Sequence, residues 1–365
     1  MIVKVPSWPL QIVVAFLSTA MSSARAGDPA IERIRSEWQE RQDRVRSFIV
    51  EWDEQRTVPA RMGGVGKGGY VPLQDTVYSI RHRMVGSGNR LRLDRNGLQY
   101  DSTANDFIEK KFVRVFDGRE RRELFQKVTN PDNPGGFLNK GQFFDDGSYL
   151  GIQPVVFSFR PLRRELGGVD LSAFTMSDER GSVHGIACQI LEHVLGPNRV
   201  DRLWIAKDGD FRILRRQLGK RERPLEELTL AYEQIPEAGW HCTGWTYLER
   251  SGGETPAQIS VCKAHKFDLN IAVDEAEFQF EFPAGALVHY EGSRNYSIAL
   301  RDGSLRPITS GEMAAGTSRE ALMKTPPLPE ATPNRRWSTT LIAGLSAAVV
   351  VIALSVRWYR RRHES

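Results

Sequence analysis

The chain of 365 residues is 40% apolar and 26% charged, a composition that excludes a disordered, collagenous or polytopic membrane protein. Its net charge of +5 comes from the ends: Lys4, Arg25, Arg335, Arg336, Arg357, Arg360, Arg361 and Arg362 lie outside residues 27–334, and only Glu364 opposes them. The body therefore holds 50 − 8 = 42 basic and 45 − 1 = 44 acidic groups, a balance of −2 that argues against a nucleic-acid-binding domain.

Residues 1–26 read as a secretory signal, with Lys4, an apolar stretch from Leu10 to Ala20, and Ala24-Arg25-Ala26 before Gly27. A helix is expected over 27–45, started by Asp28-Pro29, with Ile31, Ile34, Trp38 and Val45 on one face. The period then changes: Phe48, Val50 and Trp52 alternate with Ile49, Glu51 and Asp53, which predicts a strand. Gly63, Gly64, Gly66, Gly68 and Gly69 suit a flexible hairpin tip, since no Walker pattern accompanies them. Further strands are expected at 77–85, 90–94, 112–116, 186–195, 202–206, 211–217, 226–235, 240–250, 258–267 and 277–282. Asp117-Gly118, His184-Gly185, Asp208-Gly209 and Gly252-Gly253 mark turns between them. Such short connections join antiparallel neighbours, because parallel strands need a crossover. The expected fold class is α+β, a meander curled into a half-barrel with a concave face, an N-terminal helix, and covering helices or loops.

The stretch 127–168 breaks the strand rhythm with Pro131, Pro134, Gly135 and Gly136. It then carries Phe137, Phe143, Phe144, Tyr149, Phe157 and Phe159, aromatics that suit either a lid over a ligand cavity or a satellite core under a long loop. Near the end, Lys324 to Asn334 is proline-rich, part of a stalk expected over 301–336 that follows the body at 27–300. Residues 338–356 carry no charge, and nineteen helical residues rise about 28 Å, close to the hydrocarbon thickness of a bilayer. Trp337, Trp358 and Tyr359 bracket them, and Arg357, Arg360, Arg361 and Arg362 follow, as at a cytoplasmic flank. One transmembrane helix is thus expected at 337–357, with a basic cytoplasmic tail at 358–365. The body then stands outside the inner (cytoplasmic) membrane of the cell, and its partner is that membrane.

Cys242 and Cys262 flank the turn at Ser251-Gly252-Gly253-Glu254. A three-residue loop at 251–253 would set them opposite each other, within adjustment of a disulfide; a two-residue loop sets Cys242 opposite Lys263 and leaves two half-buried thiols. Cys188 reads as a small core residue. His241 and His265 complete a Cys2His2 set by composition, but strand alternation splits the four between two faces, so no metal is expected. There is no G-x-S-x-G or H-E-x-x-H motif. The pairs Asp145-Asp146, Glu226-Glu227 and Asp274-Glu275 place neighbours on opposite faces, as solvated charges do, and so do the arginine runs at 119–122 and 212–216. Neither an enzyme nor a cofactor is expected.

Several segments resemble a known family. Leu203-Trp204-Ile205 followed by Asp210-Phe211-Arg212-Ile213-Leu214-Arg215 is similar to a strand pair of lipoprotein-carrier proteins of the LolA/LppX type. Phe278-Gln279-Phe280-Glu281-Phe282-Pro283-Ala284-Gly285 resembles that superfamily's closing strand, and the opening helix with Trp38 and Arg41 leading into Val50-Glu51-Trp52 is similar to its start. The whole also looks like exported, tethered proteins of planctomycete-type bacteria. The resemblance implies a curved half-barrel with an apolar cavity for a lipid, an acyl chain or a lipidated protein. The competing expectation is an envelope structural or protein-interaction module without a cavity.

Overall fold

A computed structural model describes residues 28–60, 74–101, 106–128, 130–144, 150–235, 239–250, 256–293 and 295–324. In chain order its main elements are α1 (Pro29–Arg44), β1 (Ser47–Val58), β2 (Thr76–Ser87), β3 (Arg90–Asp101), β4 (Asp106–Phe116), β5 (Glu120–Lys127) and β6 (Asn130–Lys140). Then come α2 (Gln153–Phe159), β7 (Thr175–Val183), β8 (Ile186–Gly196), β9 (Arg199–Ala206), β10 (Ile213–Gly219), β11 (Pro224–Ile235), β12 (Gly239–Glu249) and β13 (Gln258–Leu269). The last are β14 (Leu287–Tyr290), β15 (Tyr296–Ala299), β16 (Leu305–Ile308), α3 (Ser310–Ala314) and α4 (Arg319–Lys324). The chain divides into two compact units, the second made of 124–126, 130–138 and the residues from 281 onward.

In the first unit the strands lie in the order β5-β4-β3-β2-β1-β13-β12-β11-β10-β9-β8-β7. These are two meanders, β1 to β5 and β7 to β13, joined where β1 pairs antiparallel with β13. The order is open and does not close into a barrel. Turn chemistry works as expected: His184 and Gly185 both take positive φ, 52° and 78°, the requirement of a two-residue hairpin between β7 and β8. Register places Trp52 opposite His82, Val50 opposite Met84, Met84 opposite Leu93, and Leu91 opposite Phe116, so one face of the sheet is apolar across four strands. On that face lie Ile31, Ile34 and Trp38 of α1 and the long segment 141–174, in one continuous core. Asp28 caps α1 through Ala30 N at 2.9 Å, which explains the start of the helix.

The 277–282 segment is a correction: it is a 3-10 turn at Glu275–Phe278 followed by unladdered chain. Its acids are drawn off by arginines, since Glu277 accepts from both terminal nitrogens of Arg83, at 2.7 and 3.1 Å, and Glu275 pairs with Arg90. Phe278 packs on the other face of the sheet against Val85 and Val115. The proline- and glycine-bearing stretch 130–140, expected as loop, is strand β6. In the second unit β6 pairs parallel with β14, Gly136 opposite Val288, and the order is β16-β15-β14-β6. A Cβ on Gly135 would stand 2.8 Å from the Phe125 ring, so the glycine there makes room for an aromatic neighbour.

β16, α3 and α4 fall within the residues expected as the start of the stalk. The signal segment 1–26, the rest of the stalk, the span 337–357 and the tail 358–365 lie outside the described residues. Among the described residues no helix is long and apolar enough to cross a membrane.

Gly86 makes a tight demand on the first unit, because a Cβ there would lie 2.4 Å from Phe48 ring atoms. Gly86→Ala is expected to destabilise the protein by about 1–3 kcal/mol through overpacking. Urea unfolding checks this, and Phe48→Leu in the same chain should recover part of the loss.

Candidate functional site

Residues 141–144 and 150–174 cover the apolar face with α2 and two short 3-10 turns at Arg164–Leu166 and Leu171–Ala173. α2 has no side-chain N-cap, and all seven of its residues are buried. Side chains hold the backbone of this cover down. Arg114 Nη1 donates to Phe143 O at 3.1 Å, Arg121 Nη1 to Gln142 O at 3.2 Å, and Trp245 Nε1 to Gly151 O at 2.6 Å. Leu162 N donates to Gln42 Oε1 at 2.8 Å, and Cys242 N to Ser158 Oγ at 3.1 Å. At its far end Arg160 donates to four main-chain carbonyls: Gly88 O at 3.1 Å, Val45 O at 2.5 Å, Phe159 O at 2.8 Å and Arg46 O at 2.7 Å. Burial pushes the Arg160 guanidinium down to about 10.

A polar border runs along the same sheet face. Glu54 is buried; it accepts from Ser260 Oγ at 2.7 Å and Arg56 Nε at 2.7 Å, and its Oε2 lies 2.8 Å from His82 Nε2. Burial works against its charge, but the His82 bond, the Arg56 cation and the Ser260 hydroxyl outweigh burial and hold its carboxyl well below the usual range. Burial drives the His82 ring toward its neutral form, despite Glu54, so a proton on Nε2 serves the carboxylate. The His82 ring stacks on Trp52 at 4.7 Å. On β4 and β5, Glu123 forms ion pairs with Arg114 at 3.0 Å and with Arg121 at 2.9 Å.

Two depressions open along this border. One of about 220 Å³ is lined by Glu54, Arg56, Arg95, Tyr247, Glu249 and Ser260, among others. One of about 520 Å³ includes Gln153, His193, Arg199, Asp201 and Arg216. The first is below the usual size of a small-molecule site, and neither has the mainly apolar lining such sites favour. The apolar surface of this unit is instead occupied by its own cover.

Of the aromatics expected in a lid, Phe143, Phe144, Phe157 and Phe159 meet in the core under the cover, with Phe143 and Phe144 edge to face at 4.7 Å. Phe137 is not with them: it lies in the second unit, 5.1 Å from Phe125 and 5.4 Å from His289. Tyr149 lies outside the described residues.

Cys188, Cys242 and Cys262 are free and buried. The register sets Trp245, three residues on from Cys242, opposite Cys262, because pairing stops at Glu249 with Gln258 and leaves a longer loop than 251–253. Burial pushes both the Cys242 and Cys262 thiols up, so neither is a ready nucleophile. Cys262 faces the core, whereas His265 is half exposed beside Asp53 at 3.7 Å, so the four side chains do not converge. Among the described residues no group of three or more His, Cys, Asp or Glu is placed to hold a metal.

Of the acidic pairs, Glu226 and Glu227 are split as alternation requires: Glu226 accepts from Tyr247 Oη at 3.0 Å and Glu227 from Gln217 at 2.9 Å, whereas Asp274 and Glu275 sit at the start of a 3-10 turn rather than on a strand. Asp145 and Asp146 lie outside the described residues. Within the arginine runs, Arg216 grips Asp201 through Nε at 3.0 Å and Nη2 at 2.7 Å and also donates to Gln153, and Arg212 pairs with Asp208. The Arg114, Arg121 and Trp245 latches were not anticipated from the sequence. Their only local signal is a long polar donor at an inward strand position, which a surface residue shares.

No family model matches the sequence, and no curated protein matches it. Solved structures do. A domain described as an outer-membrane lipoprotein-sorting protein from Vibrio parahaemolyticus is 12% identical, with a TM-score of 0.40 over 68% of this chain and 97% of that one. A DUF1329 family protein from Desulfovibrio piger is 12% identical, TM-score 0.39, over the same shares. A LolA superfamily protein from Nitrosomonas europaea is 11% identical, TM-score 0.38, again over 68% and 97%.

Two outcomes are expected at this site. Glu54→Ala leaves Arg56 and its neighbours without their buried carboxylate and should cost about 3–5 kcal/mol in denaturant unfolding; a loss below about 1 kcal/mol would show the network to be incidental. Separately, His241 is fully buried between Phe159 and Phe267, and burial, helped by Arg41 and Arg44, lowers it to about 4. An unfolded chain protonates this ring near pH 6.5, so stability should fall as pH drops from about 6.5 to about 4. His241→Phe should flatten that part of the stability–pH curve.

Proposed function

We propose that this chain is an extracytoplasmic, non-enzymatic binding protein, held at the membrane by one C-terminal span, whose covered apolar sheet face takes a lipid, an acyl chain or a lipid-modified protein. The observation that supports it is the cover itself. A segment with one uncapped helix lies over an apolar face spanning four strands, and its main chain is held by separate side-chain donors rather than by ladders. Half-barrel curvature of the open sheet would turn that face into a trough once the segment swings out. Cargo then competes with the protein's own Phe143, Phe144, Phe157 and Phe159, and affinity scales with the fraction of molecules that are open.

A second reading is an envelope interaction module that binds a protein on its outer surface and never opens. The close packing of the cover, with Phe143 and Phe159 fully buried, favours it.

The two readings separate in one titration. Delipidated residues 27–325 should bind a hydrophobic fluorescent probe saturably. Trp245→Phe, which removes the donor to Gly151 O and trims the ring packed beside Trp52, should tighten that binding at least about fivefold, since the lost bond alone, worth about 1 kcal/mol, favours the open form by that factor. Absence of saturable binding in both proteins, with one dominant protein partner on cross-linking in cells and no co-purifying lipid, would replace the first reading by the second.

A further inference from the structure

The tips of two neighbouring hairpins in the first unit carry exposed features that neither the latches of the cover nor the ion pairs of the polar border use. Val194 and Leu195, at the β8–β9 tip, are 64% and 43% exposed, and Leu225, at the start of β11, is 42% exposed. These are three of the eight large apolar side chains most exposed among the described residues. Gly219 pairs with Val200, so the 220–223 turn, closed by Arg223 N to Lys220 O at 3.2 Å, stands beside the 196–199 turn. Between them lies a cleft of about 590 Å³ lined by Val194, Pro197, Arg199, Lys220, Arg221 and Arg223, with Glu222 as its acid.

Arg199, Lys220 and Arg223 are exposed and have no ion-pair partner among the described residues, whereas Arg221 is held by Glu179 at 2.8 Å and by Glu192. Three cations without an ion-pair partner among the described residues thus stand with Val194 around this cleft, while Leu195 lines the neighbouring depression that Arg199 also borders. That is the arrangement in which apolar groups enter the boundary of a bilayer while long basic side chains lay their stems along it and keep their charges at the phosphates. An acidic protein surface would satisfy the cations but would leave Val194 and Leu195 without a reason to protrude.

We propose that the paired β8–β9 and β10–β11 tips dock on a bilayer surface of anionic phospholipid, with Val194 and Leu195 at the acyl boundary and Arg199, Lys220 and Arg223 on the headgroups. This surface is separate from the covered face, so it stands whether or not that face holds cargo.

The test uses the full chain with a photoreactive benzophenone amino acid replacing Leu195, reconstituted in nanodiscs of phosphatidylcholine alone or with about 30% phosphatidylglycerol; the same probe at Val261, an exposed site on β13, is the control. Lipid adducts at 195 should rise at least tenfold with phosphatidylglycerol, and the combined Arg199→Glu, Lys220→Glu and Arg223→Glu variant should abolish the rise while melting like the parent. Adducts at 195 no more frequent than at 261, adducts indifferent to phosphatidylglycerol, or adducts to protein alone would each overturn the proposal. Should the chain fail to enter nanodiscs, the tether fails but this test does not: the labelled chain mixed with vesicles of the two compositions gives the same reading.

Discussion

The first unit depends on one buried cation. Arg160 ends the covering helix and reaches four carbonyls that belong to three different places in the chain: the end of α1 at Val45 and Arg46, the β2–β3 turn at Gly88, and its own neighbour Phe159. A guanidinium can do this because its donors form a rigid planar fork, which an ammonium does not. Its carbon end lies 5.5 Å from the Phe48 ring, which in turn stacks on Phe159 at 4.6 Å. Removing the group would strand the buried Val45 and Phe159 carbonyls, each at a cost of about 1–3 kcal/mol, a large share of the stability of a domain.

That constraint explains why the rest takes its form. With the cover fastened at Arg160, the sheet can stay open and still bury its apolar face, because the 141–174 segment does what a second sheet would do in a sandwich. The charges that border this face are then committed to structure. Glu54 is shared by Arg56, His82 and Ser260, and Glu123 pairs with Arg114 and Arg121, so the carboxylates of the border are held by its own cations and donors. On the proposed reading, cargo is accommodated by moving the cover, and function and stability would then draw on the same latches.

Much of the local plan was legible. The capped start of α1, the alternation of Phe48, Val50 and Trp52, and the His184-Gly185 turn are written in neighbouring residues, and each appears where expected. So does the pairing of Ile205 with Ile213 across the Asp208-Gly209 turn. Trp38 and Arg41 of the opening helix, and Asp210 and Phe211 of the strand pair, were read as separate segments, and the structure joins them: Trp38 Nε1 donates to Phe211 O at 2.7 Å and Arg41 to Asp210 O. What stayed hidden was long-range. β6 looked like loop because its prolines and glycines argue against a central strand, and it becomes one through a parallel partner about 150 residues further on. The segment at 277–282 alternates like a strand, yet arginines on β2 and β3 take its acids. Cys242 and Cys262 sit near one turn, but the length of that loop moves their register by three residues.

The sequence by itself determined the elements whose causes are local: caps, turns, alternation, and the apolar stretch at 338–356 with its aromatic and arginine flanks. Tertiary structure decided which segments meet. It joined β1 to β13, laid 141–174 over one face, and left Val194 and Leu195 in solvent. The physical reason is that propensity and turn geometry act over a few residues, whereas strand partners, cover and buried ion pairs are chosen by desolvation and hydrogen-bond satisfaction over the whole chain.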